Sequence, residues 1–439
     1  VRISKNPIEN FINKSTAGSF ILLLFTIVAL VWANSPWQES YHSFFNETFS
    51  IGFSETGFII SKPLYLWIND GLMTIFFFYV GLEIKREILD GELTSMSKAS
   101  MPVFAAIGGI LVPIAIFLLL HEQERGMNGW GIPMATDIAF SLGILNLLGN
   151  KVPLSLKIFL TAFAIIDDIG AILVIALFYS HEIHFLYLGI AFAILLFLAF
   201  LMFKKFHSKY ILLLSSIAIW ILFLKSGIHP TIAGVLIAMV IPASRSVDLD
   251  NFFEEIRKSV NFFRKTESRR VILTDSQQEA VDQINVITDR VQSPMQQLEH
   301  GLSGWVTIVI MPIFALANAG ITIDLDSLGQ TQLISQIAIA LVVGKVVGVT
   351  GFSWLAYKLK IATLPTGLGF REIFGVSFLG GVGFTMALFI AELAFRDHAL
   401  LTTSKIGILV GTLVAGVTGY YILNYQLKKK AAEKASVPN

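Results

Sequence analysis

Four ionisable side chains stand in stretches of sequence otherwise too apolar to hold them. Asp137 lies in Gly131-Ile132-Pro133-Met134-Ala135-Thr136-Asp137-Ile138-Ala139-Phe140. Asp167 and Asp168 follow Phe163-Ala164-Ile165-Ile166, and Lys345 sits between Leu341-Val342-Val343-Gly344 and Val346-Val347-Gly348. A buried ion costs several kcal/mol even when paired, so charges at such positions mark functional sites by default. Pro133 cannot donate a backbone hydrogen bond and clashes with the preceding turn, so a helix starts, breaks or kinks there. Thr136 can cap the freed amides or offer its hydroxyl to an ion. Neighbouring residues on a helix point about 100° apart, so Asp167 and Asp168 face different surroundings. One can face an aqueous cavity and the other a neighbouring helix. Two carboxylates this close repel when both ionise and titrate as a coupled pair, which suits a site that exchanges protons for a cation. The Lys345 ammonium needs a carboxylate partner, and the three aspartates are the candidates. Gly344 and Gly348 permit a close helix approach or a local break beside it. The plain alternatives are a structural aspartate at a proline kink, a structural carboxylate pair and a lysine that snorkels to the surface. Three acids and one base together favour the ion site. Carboxylate and carbonyl oxygens suit hard cations. Asp70 and Glu392 are further acids in apolar stretches.

The elements that must hold these groups are membrane helices. Of 439 residues, 54% are hydrophobic and only 14% charged, against roughly 25% charged in a soluble domain. Many of the charges crowd into 245–300. There are no cysteines, which excludes disulfides, Cys-ligated zinc and Cys-bound iron–sulfur centres. A formal net charge of +1 argues against nucleic acid as a partner. A helix crosses the hydrocarbon in about 20 residues. The pattern predicts an all-α polytopic membrane protein of about twelve transmembrane helices, at 16–34, 64–84, 100–120, 131–148, 154–179, 186–203, 209–224, 228–243, 303–320, 332–353, 373–395 and 405–425. The first run reads as a span rather than a cleaved signal peptide. Alternating pieces such as Phe49-Ser50-Ile51-Gly52-Phe53 predict a short hairpin within 43–62. Most of the 32 Lys and Arg residues fall on one side if both termini are cytoplasmic, as the positive-inside bias requires. The organisation expected is spans one to eight in 1–243, a charged cytoplasmic loop at 244–302 with one or two amphipathic helices, spans nine to twelve in 303–425, and a basic tail at 426–439.

The ordered words of the chain resemble the NhaA-type sodium/proton antiporters of bacterial inner membranes. They are Trp67-Ile68-Asn69-Asp70-Gly71-Leu72-Met73, Val80-Gly81-Leu82-Glu83-Ile84-Lys85-Arg86-Glu87, Ala135-Thr136-Asp137-Ile138-Ala139-Phe140 and Ala164-Ile165-Ile166-Asp167-Asp168-Ile169-Gly170-Ala171. Later come Leu224-Lys225-Ser226-Gly227-Ile228-His229-Pro230-Thr231, Phe314-Ala315-Leu316-Ala317-Asn318-Ala319-Gly320 and Gly380-Gly381-Val382-Gly383-Phe384-Thr385-Met386. The resemblance implies twelve spans with inverted repeats, in which spans 4 and 11 are broken and cross near the centre. It places the cation on Asp168 with Asp137 and Thr136 beside it, and it pairs Asp167 with Lys345. It assigns the pH response to Glu83, Arg86 and Glu87, with Glu299 and His300 as weaker matches and His229 as a linked histidine. It implies electrogenic export of one sodium, or lithium, for two protons by alternating access, in pH and sodium homeostasis. No cofactor is implied. The implied partners are membrane lipids and a second copy through the hairpin, with no nucleic acid and no organic substrate. The loop 244–302 is longer than in the best-known members, and Glu392 stands where a small or neutral residue is expected.

Other classes fit less well. A channel needs no buried base and more often repeats a pore motif. A primary pump needs a nucleotide site, and no Gly-x-x-x-x-Gly-Lys-Ser/Thr word occurs. A membrane enzyme needs a nucleophile or metal set. A sodium-coupled solute symporter remains the alternative, since it too uses acids and broken helices.

Overall fold

The computed structural model describes residues 7–53, 58–121, 126–180, 182–204, 206, 208–244, 249–265, 272–322 and 331–435. Apart from a two-stranded hairpin, the regular elements described are helical. They are α1 (Pro7–Ala33), α2 (Gln38–Asn46), β1 (Thr48–Phe53), β2 (Phe58–Pro63), α3 (Leu64–Asp90), α4 (Met96–Leu120), α5 (Ile138–Leu147), α6 (Leu154–Phe178), α7 (Phe185–Phe203), α8 (Lys209–Ser226), α9 (Thr231–Val240), α10 (Leu249–Lys265), α11 (Asp275–Val291), α12 (Pro294–Asn318), α13 (Thr331–Lys358), α14 (Phe370–Gly380), α15 (Phe384–Ala394) and α16 (His398–Ala435). Among the described residues, 8 helices are long and apolar enough to cross a membrane, or up to 10 if each of two bent pairs counts as one span. Two shorter apolar helices, α5 and α9, add to these. The chain is a multi-pass membrane protein: it shows apolar side chains outward along α1, α7 and α8, such as Phe20, Phe197 and Leu214, which a soluble protein would bury. Its interior is a continuous apolar core in which Phe77, Phe314, Phe384 and Phe389 are buried.

Several boundaries differ from the pattern, each for a local reason. α12 begins at Pro294, inside the stretch read as loop. Ser293 caps it, with the Gln296 side chain closing a reciprocal box, and Pro294 occupies the first turn, where its missing N–H is harmless. Glu299 and His300 therefore ride on a helix that runs into the bundle. α16 continues through the basic tail as far as Ala435, because Lys and Ala are good helix formers and Lys430 docks on the Gly367 carbonyl at 2.8 Å and on the Glu372 carboxylate. α2 precedes the hairpin and folds back on α1 at 113°. Tyr41 anchors it, burying its ring and donating to the Leu316 carbonyl at 2.7 Å. In the hairpin Ile51 pairs with Ile60 and Thr48 with Pro63; its tip, 54–57, lies outside the described residues. In the 244–302 stretch, α10 and α11 form a helical hairpin, with Thr274 capping α11.

Among the described residues, three helices carry a single wide π turn, at Ile68–Leu72, Val306–Ile310 and Ala340–Gly344. Such turns leave backbone groups less regularly bonded and gather at functional sites. The last one ends immediately before Lys345. Gly348, one turn further on, packs backbone to backbone against α4: a Cβ on Gly348 would stand 2.1 Å from the Gly108 carbonyl oxygen, and a Cβ on Gly108 equally close to that of Gly348. Only glycine allows α4 and α13 to approach this closely. We expect Gly348→Leu to cost about 1–3 kcal/mol or more through overpacking. The check is the thermal midpoint of the detergent-solubilised chain by size-exclusion; an unchanged midpoint would show that the crossing tolerates a side chain.

Candidate ion site

The site is built where two helices stop inside the bundle. A 3-10 turn, Met127–Met134, gives way to extended backbone at Ala135 and Asp137 before α5 begins. α14 and α15 are separated by a break at Gly381–Gly383 and bent by 45°. The two breaks satisfy each other. Asp137 N donates to the Val382 carbonyl at 2.7 Å, the Thr136 hydroxyl to the Gly380 carbonyl at 2.7 Å, and the Ser141 hydroxyl to the Leu379 carbonyl at 2.7 Å. The cap of α5 is Asp137 itself, whose Oδ1 accepts from Phe140 N at 2.9 Å. Thr136, read from sequence as either a cap or an oxygen for an ion, does not cap α5; it donates its proton to Gly380 and keeps an oxygen lone pair free of that bond. Asp137 Oδ2 accepts from Thr385 N at 3.1 Å and from the Thr385 hydroxyl. Thr385 was inside a recognised word but unassigned; its signal was a hydroxyl at the first turn after a glycine-rich break. The Phe384 amide is in turn held by the Thr412 hydroxyl at 3.2 Å.

Lys345 is 0% exposed and donates to Asp167 Oδ2 at 2.6 Å. Of the three carboxylates, the fold chooses this one. The ammonium also lies 5.6 Å from the centre of the Phe163 ring, a favourable cation–π contact in a dry site. The other oxygen, Asp167 Oδ1, has no hydrogen bond among the described residues. Asp168, the next residue, points elsewhere: with Asp137 it lines a cavity of about 70 Å³ between α3, α5, α6 and α12, room for several waters. Asp168 is only 2% exposed, yet no hydrogen bond to its carboxylate occurs among the described residues. The helical offset of the pair thus gives one acid a counter-ion and the other a cavity with room for water. Among the described residues no group of three or more acid and histidine side chains converges into a metal cage. A cation at Asp168 would complete its shell with water, hydroxyl or carbonyl oxygens.

The cavity runs from Asp137 and Asp168 to Glu83, whose Oε1 accepts from the Tyr79 hydroxyl at 2.6 Å. One turn beyond, Arg86 binds Glu87 at 2.9 Å and Glu299 of α12. Glu83, Arg86, Glu87 and Glu299 are therefore gathered at one mouth, whereas His300 is exposed. His229 is not among them. Its Nε2 stands 3.6 Å from Asp70 Oδ1 and its Nδ1 2.7 Å from the Thr231 hydroxyl. Asp70 also takes a 2.6 Å bond from Lys62 of β2, so it serves a different cluster. Beside it, Asn69 and Asn318 exchange side-chain hydrogen bonds at 3.1 and 2.8 Å. Glu392, unexplained from sequence, pairs with Lys405 of α16 at 2.6 Å. Lys62, Lys405 and the asparagine pair lack any local pattern that would reveal them.

Comparison with known proteins places nearly the whole chain among sodium/proton antiporters. The family model described as Na+/H+ antiporter 1 matches residues 9–423. The chain is 45% identical over 436 residues to the Na(+)/H(+) antiporter NhaA of Oleidesulfovibrio alaskensis, covering 98% of this chain and 96% of that one. It is 45% identical to the protein of that name from Koribacter versatilis, covering 96% and 92%, and 44% identical to that of Yersinia enterocolitica, covering 97% and 98%.

Removing Lys345 leaves the Asp167 carboxylate buried without a counter-ion. Breaking a buried pair from one side costs about 3–5 kcal/mol. We expect Lys345→Ala to lower the thermal midpoint strongly, more at alkaline pH, where the lone carboxylate carries its charge, than at acid pH, where protonation neutralises it. Adding Asp167→Asn should recover much of the loss. Thermal unfolding of the two variants at both pH values checks this; equal loss in both would deny the coupling.

Proposed function

We propose that this chain, which belongs to the Na+/H+ antiporter 1 family, is an electrogenic sodium/proton antiporter of a bacterial inner membrane. The observation that carries the reading is the Asp168 carboxylate: buried, without a hydrogen bond among the described residues, facing a cavity shared with Asp137, and adjacent to the Asp167–Lys345 pair. Sodium stripped of water needs ionised carboxylate oxygens, and protons neutralise those same oxygens. The two ions therefore compete for one site, and competition alone couples their fluxes. Asp168 binds the cation, with lithium as a second cargo. Asp137, held at the head of α5 by backbone amides and Thr385, stands beside it as a second carboxylate. Thr136 adjoins it as a third oxygen.

The second proton belongs to Asp167 and Lys345. Separating a buried ion pair is costly unless one partner changes protonation, so proton uptake loosens the link between α6 and α13. Twelve crossings with both termini cytoplasmic, arranged as inverted repeats with spans 4 and 11 crossing, would place the paired breaks at mid-membrane, where such sites form. The positive-inside bias of the sequence and the facing breaks support that topology. The cavity leads toward Glu83, Arg86, Glu87 and Glu299, as an inward-open funnel would, and charge exchange in that cluster suits it to the pH response, with His229 and His300 outside it. The β hairpin supplies the edge for a homodimer.

Asp168→Asn removes the titrating charge and half of the oxygen donors. We expect it to abolish sodium-driven proton movement, by at least about tenfold, in proteoliposomes with normal protein insertion; near-normal exchange would overturn the assignment. A cycle of two protons for one sodium carries one net charge, so the membrane potential contributes about 2.3 kcal/mol per 100 mV. Downhill sodium movement should therefore build a potential, and clamping it should speed exchange. Exchange indifferent to an imposed potential would overturn the stoichiometry and leave antiport standing. Gradient collapse that requires an organic solute would favour the symporter.

A further inference from the structure

The α10–α11 hairpin plays no part in the ion site, yet it is not an inert linker. It hangs from the ends of two apolar helices, α9 and α12, which are tied together where Met295 N donates to the Pro242 carbonyl at 3.2 Å. α10 is about 25 Å long at 1.5 Å per residue. One side of it packs on α11, burying Ser259 against a face that contains Ala280 and Ile287. Away from that contact, Phe253, Arg257, Val260 and Arg264 follow one another at spacings of four, three and four. They therefore form one stripe along the helix.

All four are exposed; Phe253 is 65% and Val260 37% accessible. Neither guanidinium is in an ion pair among the described residues. The ion pair on the helix there, Glu254 with Lys258 at 2.8 Å, lies to the side of the stripe. Further apolar side chains, Ile272 and Leu273, are exposed at the turn of the hairpin. An open groove between the two helices, lined by Glu255 and Lys258 of α10 and by Asp275, Glu279 and Asp282 of α11, has the opposite character. The hairpin thus has one apolar, basic side and one acidic groove. Alternating apolar and arginine residues on a helix tethered at a bilayer match an anionic headgroup layer, with apolar groups at the acyl boundary and guanidinium groups on phosphates.

We propose that α10 docks on the cytoplasmic leaflet through Phe253, Arg257, Val260 and Arg264, with acidic phospholipid as its partner. The acidic groove turns away from the same surface. Repulsion fixes which side of the hairpin lies down.

The native chain has no cysteine, so a single label reports cleanly. Phe253→Cys in the full-length protein, carrying an apolar polarity-sensitive fluorophore in place of the phenyl ring, would be placed in nanodiscs of phosphatidylcholine alone or with a quarter phosphatidylglycerol. We expect a blue shift and quenching by brominated lipid with phosphatidylglycerol, and little of either without it. Val286→Cys on α11 should stay water-exposed in both. Each arginine near an anionic surface contributes about fivefold to docking, so Arg257→Gln with Arg264→Gln should weaken it roughly 25-fold, and raised salt should act in the same direction. Both arginines are on the surface, so the double variant keeps its fold and its sodium/proton exchange. A label that stays in water in both lipids overturns the proposal. So does equal quenching in both, or efficient crosslinking between two copies of the unlabelled Phe253→Cys variant, which would assign the face to a second chain.

Discussion

A helix that ends inside a bundle exposes amides and carbonyls that hydrocarbon cannot satisfy. This protein has two such ends, at residues 135–137 and 381–383, and it meets the constraint by placing them against each other. Val382 accepts from Asp137, Gly380 from Thr136 and Leu379 from Ser141, while Thr385 returns two bonds to the Asp137 carboxylate. The rest follows from this pairing. α6 and α13 close around it with their charged residues, α16 supports it through Thr412, and the wide turns of α3, α12 and α13 lie on helices that surround it.

The electrostatic design gives one aspartate a buried counter-ion and leaves the next facing a cavity. Lys345 and Asp167 are both fully buried at 2.6 Å, an arrangement whose cost is met only while the partners stay together or one changes protonation. Asp168 differs by one position in sequence and about 100° in direction, and that angle is enough to put it in the cavity. Asp137 is made tolerable by donors from two different helices. Asp137 is thus held on one interruption, with Asp167, Asp168 and Lys345 on α6 and α13 beside it. A small displacement of one break would alter bonds on both sides, which is the kind of bistable contact that conformational switching needs.

The 244–302 stretch and the outer clusters follow separate rules. The α10–α11 hairpin obeys the amphipathic logic of a surface helix, with its own cap at Thr274. Asp70 with Lys62 and His229, and Glu392 with Lys405, show how acids in apolar stretches are neutralised by partners from the hairpin and from distant helices. Singling out an acid by its apolar neighbours therefore finds carboxylates with a lysine partner, Asp70, Asp167 and Glu392, as well as Asp137 and Asp168, which have none among the described residues.

Local chemistry determined much of this protein before folding is considered. Long uncharged runs require membrane helices because backbone polar groups have no other way to be satisfied in lipid. Pro133 and the glycines at 380–383 announce the interruptions, because one removes a donor and the others relax the backbone. The apolar surroundings of Asp137, Asp167, Asp168 and Lys345 expose their cost, and the adjacent aspartates had to diverge. What only tertiary structure decided were the pairings. Asp167 and Lys345 are 178 positions apart and Arg86 and Glu299 are 213 apart, and no periodicity reports such distances. The start of α12 at Pro294 was obscured by the polar residues of its first turns, although its capping signal was present. Thr385 became a ligand of Asp137 only when two breaks met. Burial and spacing are written locally along a chain, but a charge acquires its partner through the packing of helices that sequence order does not make neighbours.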